Sequence, residues 1–280
     1  AGEIDGIIDS ALKEDIGAGD ITTDMIVPSS AVMKGVFISN GQGILCGLPV
    51  AKKVFRMLDR GIKINFRKKD GDRIKNGDII AAVSGKARAI LTGERLALNM
   101  LQRLSGVATA ANEFVEMIKP YKVKILDTRK TTPNMRVLEK YAVKTGGAEN
   151  HRMGLYDAVL IKDNHLHLVD LSKAVFDLRT WLPKNIKIEI EADDMEMLEK
   201  AIKAKPDIIM LDNMSLTMMD KALDILKKSG CRAKIEVSGG VNKHNVREIA
   251  RKRVDYISIG SITHSPQSLD ISLKLEKAKK

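Results

Sequence analysis

Between residues 127 and 264, chemically capable side chains follow six short apolar runs, one after another. VKILDTRK ends in Arg129 and Lys130, and DAVLIKDN in Lys162, with His151 and Arg152 on the glycine-rich approach GGAENHRMGLYD. IKIEIEAD carries Glu189 and Glu191, and DIIMLDN carries Asp212. AKIEVSGG closes on Ser238, Gly239 and Gly240, and DYISIGS on Gly260 and Ser261, with His264 just beyond.

The residue types sort by chemistry along the chain. Cations come first, and several of them converging are stable only around a ligand with more than one negative charge. Arginine offers a bidentate fork for carboxylates, and lysine a point charge. Carboxylates come next; beside such a cluster they suit Mg²⁺ or sugar hydroxyls. Glycines and hydroxyls come last, where the backbone can approach a phosphate and a following helix N-terminus can stabilise it. Taken together the pattern describes a compact polyanion held next to a phosphorylated, metal-bound sugar, and hence transfer at a sugar phosphate. His165 and His167 are spaced i, i+2, which fits one face of a helix badly, so no ligand role is assigned to them.

These groups need a scaffold of strands. Anchoring the runs at residues 127, 162, 191, 212, 238 and 260 leaves intervals that each fit one βα unit. Helical patterns such as SLTMMDKALDILKKSG and NKHNVREIARKR lie between them. Alternation of this kind means parallel strands with chemistry at their C-terminal ends. The stretch is short for a full eight-fold barrel, so an incomplete (βα) barrel of six or seven strands is expected.

Upstream, Ile4, Ile7, Ile8, Ala11 and Leu12 mark a half-buried helix that stops at Gly17 and Gly19. VMKGVFIS and IKINFRK read as strands around the helix PVAKKVFRMLDR, and DGDRIKNGDIIAAV as a turn feeding a strand. GERLALNMLQRLSGVATAANEFVEMI is helical, with a break expected at Gly106 and with Arg95, Asn99 and Arg103 in one row. The fold class is α/β. Residues 1–104 form an N-terminal α/β sandwich, joined by a C-terminal helix over 266–280, and residues 105–265 form the barrel. Trp181 and the methionines between 195 and 219 are assigned to packing.

Composition sets the class. Of 280 residues, 44% are apolar and 30% charged, with 47 Lys/Arg against 36 Asp/Glu. That is an ordinary globular balance. Much of the net +11 lies in residues 51–90, where twelve Lys/Arg face four Asp/Glu. The aromatics there, Phe55 and Phe66, fall on apolar-periodic positions and offer no stacking platform, so a nucleic-acid partner is not expected. No run is long enough to span a membrane, and no secretory leader is seen. Cys46 and Cys231 are expected as unpaired thiols in a reducing, cytoplasmic setting.

DTRKTTPNMR followed by KTGGAENHRMGLYDAVLIKDNH resembles the quinolinate phosphoribosyltransferase family. EDIGAGDITT, GERLALNMLQRLSGVAT, IEIEAD, IMLDN, EVSGG and ISIGSITHS are similar to its segments in the same order, from about residue 13 to 265. The resemblance implies a phosphoribosyl transfer from phosphoribosyl pyrophosphate to quinolinate with decarboxylation, yielding nicotinate mononucleotide, pyrophosphate and carbon dioxide for NAD biosynthesis. It implies Mg²⁺ as cofactor and a homodimer or hexamer. Arg129, Lys130, His151, Arg152 and Lys162 would surround the quinolinate carboxylates, with Arg95 entering from a neighbouring subunit. Glu191 and Asp212 would meet ribose hydroxyls and Mg²⁺, directly or through water. Ser238, Gly239, Gly240 and Gly260 would hold phosphate, with Ser261 and His264 near it. Catalysis would fall to Lys130, Lys162, Glu191 and Asp212. One departure is Asn134, where the family has glycine; asparagine tolerates a left-handed backbone, so the turn is expected to survive. The alternative is a paralogous phosphoribosyltransferase of the same fold with a different anionic acceptor. Lys162 at a strand end also suits a Schiff-base lyase, but that leaves SGG and Asp212 unexplained.

Overall fold

A computed structural model of the chain describes residues 2–166 and 168–276. The chain runs α1 (Gly2–Ile16), α2 (Ile21–Ile26), β1 (Val32–Ser39), β2 (Gly43–Ile44), α3 (Leu48–Leu58), β3 (Lys63–Phe66), β4 (Arg73–Ile74), β5 (Ile79–Lys86) and α4 (Ala87–Ile118). It continues through β6 (Lys124–Leu126), α5 (Arg136–Thr145), β7 (Val159–Ile161), α6 (Asp163–Leu166), α7 (Leu171–Trp181), β8 (Ile188–Ala192), α8 (Met195–Ala204) and β9 (Ile208–Asp212). The last elements are α9 (Leu216–Ser229), β10 (Lys234–Ser238), α10 (Val246–Arg251), β11 (Tyr256–Ser258), α11 (Ser261–His264) and β12 (Ile271–Leu275).

Two compact units emerge. One comprises residues 1–112, 131–147 and 262–280; the other comprises 113–130 and 148–261. The first holds an antiparallel sheet of order β12-β1-β5-β3. Its core includes Phe37 and Phe55, which meet edge to face at 6.2 Å, and Ile8, Leu12, Val54, Ile80, Leu101 and Leu104. Ile8 and Leu12 come from the stripe expected of the first helix. The six-residue α2 was not foreseen; Asp20 caps it, accepting from the Thr23 amide at 2.9 Å.

Two expectations fail here. Gly106 does not break α4, which runs unbroken for 32 residues. A Cβ at Gly106 would sit 2.3 Å from the Gln267 carbonyl oxygen, so glycine is required by close packing rather than by a bend. The C-terminal segment is not a helix over 266–280. ISLKL alternates with period two, burying Ile271 and Leu273, and pairs antiparallel with β1 from Ser39↔Ile271 to Gly35↔Leu275. Residues 277–280 lie outside the described part.

The second unit holds the six expected runs as one parallel sheet of order β6-β11-β10-β9-β8-β7. The first strand lies beside the last, and among the described residues β6 and β7 do not pair. That is a (βα) barrel left open at one seam. A bridge from Leu126 to Glu149 lines part of β6 on that side. Side chains along the strands alternate between two faces. Ile188, Ile190, Ile209, Leu211, Val237 and Ile257 form one buried apolar face. In the register, Glu191 and Glu236 flank Met210, and Asp212 is opposite Ser238, so all lie on the other face. The methionines at 197, 210, 214 and 219 are buried as expected, but Trp181 is 82% exposed. It ends α7, beyond the stripe of Leu171 and Val175 that the helix buries. No helix among the described residues is long and apolar enough to cross a membrane. Cys46 is buried and Cys231 half-buried, both unpaired.

Candidate active site

The polar face of the second unit gathers most of the candidate residues at the strand ends. Arg129 and Lys130 follow β6 and are exposed. Arg152 is half-buried on the loop before β7. Burial, then the neighbouring Arg129 charge, pulls its guanidinium below the usual arginine range. Arg152 thus stands beside a second cation with a weakened preference for its own charge, the state expected of a pocket built for an anion. Lys162, just past β7, reaches Glu191 on β8 at 2.5 Å. Its amide donates to His165 Nδ1 at 3.0 Å; His167 lies outside the described residues.

The loop carrying Arg152 is fastened along its length. Asp127, buried after β6, accepts the His151 amide at 2.9 Å. Asp157 accepts the amides of Met153 and Gly154 at 2.7 and 2.9 Å. Arg152 Nη1 donates to the Ala158 carbonyl at 3.2 Å.

His151 points inward. Its Nδ1 accepts the Arg152 amide at 2.8 Å, and its Nε2 lies 3.1 Å from Glu189 and 3.5 Å from Glu236. Ser258 donates to Glu236 in a very short bond. Burial pushes both glutamates well above the usual carboxylate range; the Glu189 charge raises Glu236 further, whereas a hydrogen bond with Glu236 offsets part of the rise at Glu189. One oxygen of each, Glu189 Oε1 and Glu236 Oε2, is buried without a hydrogen-bond partner. The three donor atoms lie within 4.8 Å of one another, a spacing an ion could bridge. However, an Nδ1 that accepts leaves the hydrogen on Nε2, so Nε2 has no lone pair for a metal. Both ring nitrogens are thus committed inside the protein, and in this arrangement neither is turned to a substrate carboxylate.

Glu191 and Asp212 differ from that inner pair: each is half-buried at its strand end. On the adjoining strand Gly239 has φ +79°, and a Cβ there would meet the Asn213 amide nitrogen at 2.6 Å. Gly240 is also left-handed, at φ +63°, and its carbonyl accepts from the side-chain amides of Asn242 and Asn245 at 3.1 and 3.0 Å. Gly260 leads into α11, which contains Ser261 and His264. His264 is exposed, with Nδ1 2.6 Å from Ser265 Oγ.

In the first unit, Arg95 and Asn99 are exposed on α4, whereas Arg103 is not available to a ligand. It binds the fully buried Glu139 at 2.7 Å, Thr132 Oγ1 at 3.2 Å and the Thr263 carbonyl at 2.6 Å. Asn134 adopts φ 61°, so the turn survives the loss of glycine. Asp127, Glu236 and Ser258 were not picked out as site residues from the sequence. For Glu236 the signal was there: an acid at an alternate position of a strand buried on both faces must be buried too.

Comparison with known proteins places the chain in a family. Residues 107–274 match the model of the quinolinate phosphoribosyl transferase C-terminal domain, and residues 20–105 that of its N-terminal domain. The chain belongs to the quinolinate phosphoribosyltransferase family. Among relatives, a Bacillus subtilis protein named "Probable nicotinate-nucleotide pyrophosphorylase (carboxylating)" is 41% identical over 261 residues, covering 93% of this chain and 89% of its own length. The Mycobacterium leprae nicotinate-nucleotide pyrophosphorylase (carboxylating) is 38% identical, covering 95% and 94%. Among solved members of the family, the Francisella tularensis nicotinate-nucleotide pyrophosphorylase superposes with a TM-score of 0.91 at 38% identity, covering 98% of this chain and 96% of that one.

Proposed function

We propose that this protein transfers the phosphoribosyl group of phosphoribosyl pyrophosphate to quinolinate with decarboxylation, giving nicotinate mononucleotide, pyrophosphate and carbon dioxide for NAD biosynthesis. The observation that carries the reading is the gathering of cations at neighbouring strand ends of the second unit: Arg129 and Lys130 after β6, Arg152 on the loop before β7 and Lys162 just past it. A dicarboxylate between them relieves the repulsion. Arg129, Lys130, Arg152 and Lys162 bind and orient the two carboxylates, and His151 acts on the same pocket from behind.

As the bond from ribose C1 to pyrophosphate breaks, its electron pair leaves with pyrophosphate and C1 gains positive charge. Glu191 and Asp212 stabilise that charge and hold the ribose hydroxyls. The pyridine nitrogen then gives its pair to C1. Its new positive charge draws the electrons of the bond to the adjacent carboxylate as carbon dioxide departs, and the carbon left behind takes up one proton. Positioning and fixed charge supply the catalysis, with no side-chain nucleophile. Ser238, Gly239, Gly240, Gly260 and Ser261, with His264, hold phosphate groups. Glu191 and Asp212 are hard oxygen donors of the kind Mg²⁺ takes. When bound there, directly or through water, the ion supplies charge neutralisation at the pyrophosphate. The assembly is a homodimer, alone or within a hexamer, that gives Arg95 across its interface, and the setting is cytoplasmic.

The test follows nicotinate mononucleotide and carbon dioxide from quinolinate, phosphoribosyl pyrophosphate and Mg²⁺, with nicotinate as the parallel acceptor. Product from quinolinate alone is expected. Product from nicotinate but not quinolinate would replace the acceptor. Mixing Arg95→Ala with Lys162→Ala protein should restore part of the activity through hybrid dimers; no recovery after proven subunit exchange would remove the shared site.

A further inference from the structure

The inner cluster of His151, Glu189, Glu236 and Ser258 is not consumed by the chemistry above. It lies on the barrel-facing side of β8, β10 and β11, and Glu236 is fully buried. What it contacts is the loop that carries Arg152. The Arg152 amide donates to His151 Nδ1 at 2.8 Å, and the His151 amide donates to Asp127 at 2.9 Å. Two consecutive backbone N–H groups of the loop are therefore held by side chains. The first is held by a carboxylate, the second by a ring that is itself held from below. For Nδ1 to accept, the ring must be neutral with its hydrogen on Nε2, and that hydrogen needs an acceptor. Glu189 at 3.1 Å supplies it. Glu236 sits beside Glu189 and takes the Ser258 hydroxyl, which fixes its own orientation. A protonated His151 would carry a hydrogen on Nδ1 and collide with the Arg152 N–H.

We propose that Glu189, Glu236 and Ser258 are positioning residues for the anion pocket, acting by locking His151 in its neutral Nε2–H form so that its Nδ1 fixes the backbone at Arg152 and aims that guanidinium. The proposal rests on the reading of Arg152 as a quinolinate ligand. It gives His151 a different part from a carboxylate-binding cation: it is the neutral link between barrel interior and clamp. Glu236 does not touch substrate, and its influence reaches quinolinate through two intervening residues.

The experiment uses the full-length protein and three variants. Glu236→Leu keeps the bulk and removes the carboxylate that lies beside Glu189 and 3.5 Å from His151 Nε2; it is expected to raise the quinolinate KM about tenfold while the phosphoribosyl pyrophosphate KM stays within about twofold. Glu236→Gln keeps both shape and an acceptor and is expected to restore a quinolinate KM near that of the unaltered protein. An equal rise in both KM values, or no rise with Glu236→Leu, overturns the proposal. Should Glu236→Leu fail to fold, Ser258→Ala loosens the same network, and the same selective rise, smaller in size, is expected; its absence overturns the proposal. Nitrogen-15 NMR of histidine-labelled, unaltered protein gives a readout independent of turnover. A neutral His151 with Nε2–H is expected, and a ring protonated at Nδ1 overturns the proposal. If the unaltered protein does not use quinolinate at all, the functional reading falls while the NMR result still decides the state of His151.

Discussion

Two pairs of carboxylates lie on one face of the parallel sheet, and they differ in depth. Glu189 and Glu191 are two residues apart on β8, which puts them on the same side about 7 Å apart along the strand. Glu236 joins the deeper one and Asp212 the shallower. At the deeper level burial raises both glutamates, and their partners are a neutral imidazole and a hydroxyl. At the rim, Glu191 pairs with the Lys162 ammonium in partial contact with solvent. One pleat repeat therefore separates acids suited to holding a structure from acids suited to meeting a charged ligand. The residue type is the same; water access decides what it does.

Removing the rim acids should have the largest effect. Glu191→Gln or Asp212→Ala should lower kcat by about 100-fold or more while the far-ultraviolet circular dichroism is unchanged, since beyond holding the ribose hydroxyls they stabilise the charge that develops at C1. A loss confined to KM would break the contrast by making the rim a mere binding surface. Next in size, Arg129→Ala or Arg152→Ala should raise the quinolinate KM by at least about tenfold, as a lost charge-assisted pair does. Near-normal kinetics in both would remove the carboxylate clamp.

The inner pair should show itself in stability. A carboxyl whose folded pKa is raised keeps its proton in the folded chain after the unfolded chain has lost it. Stability is therefore greatest below about 4.5 and falls as pH rises toward about 8, the folded value for Glu236. Urea unfolding of the unaltered protein should lose on the order of 1–3 kcal/mol across that window through this pair, and Glu236→Gln should flatten the slope. Identical slopes would place the proton elsewhere. Smallest of all, Trp181→Ser, at an exposed helix end, should change stability by no more than about 0.5 kcal/mol in the same assay.

Much of this was legible beforehand. All six strands of the second unit announced themselves as apolar runs because each is buried on its outer face, and polar residues at their ends gave the direction of the site. Asn134 in a left-handed turn followed from the family resemblance, which puts glycine there, joined to asparagine's tolerance of that backbone. The failures have physical causes. Gly106 looked like a helix breaker because a glycine required by a passing carbonyl has the same local signature as one that bends a helix. ISLKL was taken into a helix because a five-residue strand gains its order from a partner more than 230 positions away. Of the inner acids Glu236 escaped notice, because its strand was read as a run rather than as two faces. Read with period two, KIEVS and IEIEA each show glutamate where a side chain must turn into the barrel.

The return of β12 to β1 has a consequence for synthesis. The edge of β1 that accepts β12 is made early, and its partner comes more than 230 residues later. At ~5–20 residues per second, that edge waits roughly ten to fifty seconds on the ribosome. During that interval VMKGVFIS offers a bare row of amides and carbonyls to any passing strand, with Lys34 as the charged side chain within it to discourage a wrong partner. The first unit starts first and is completed last, while the whole barrel is translated in between.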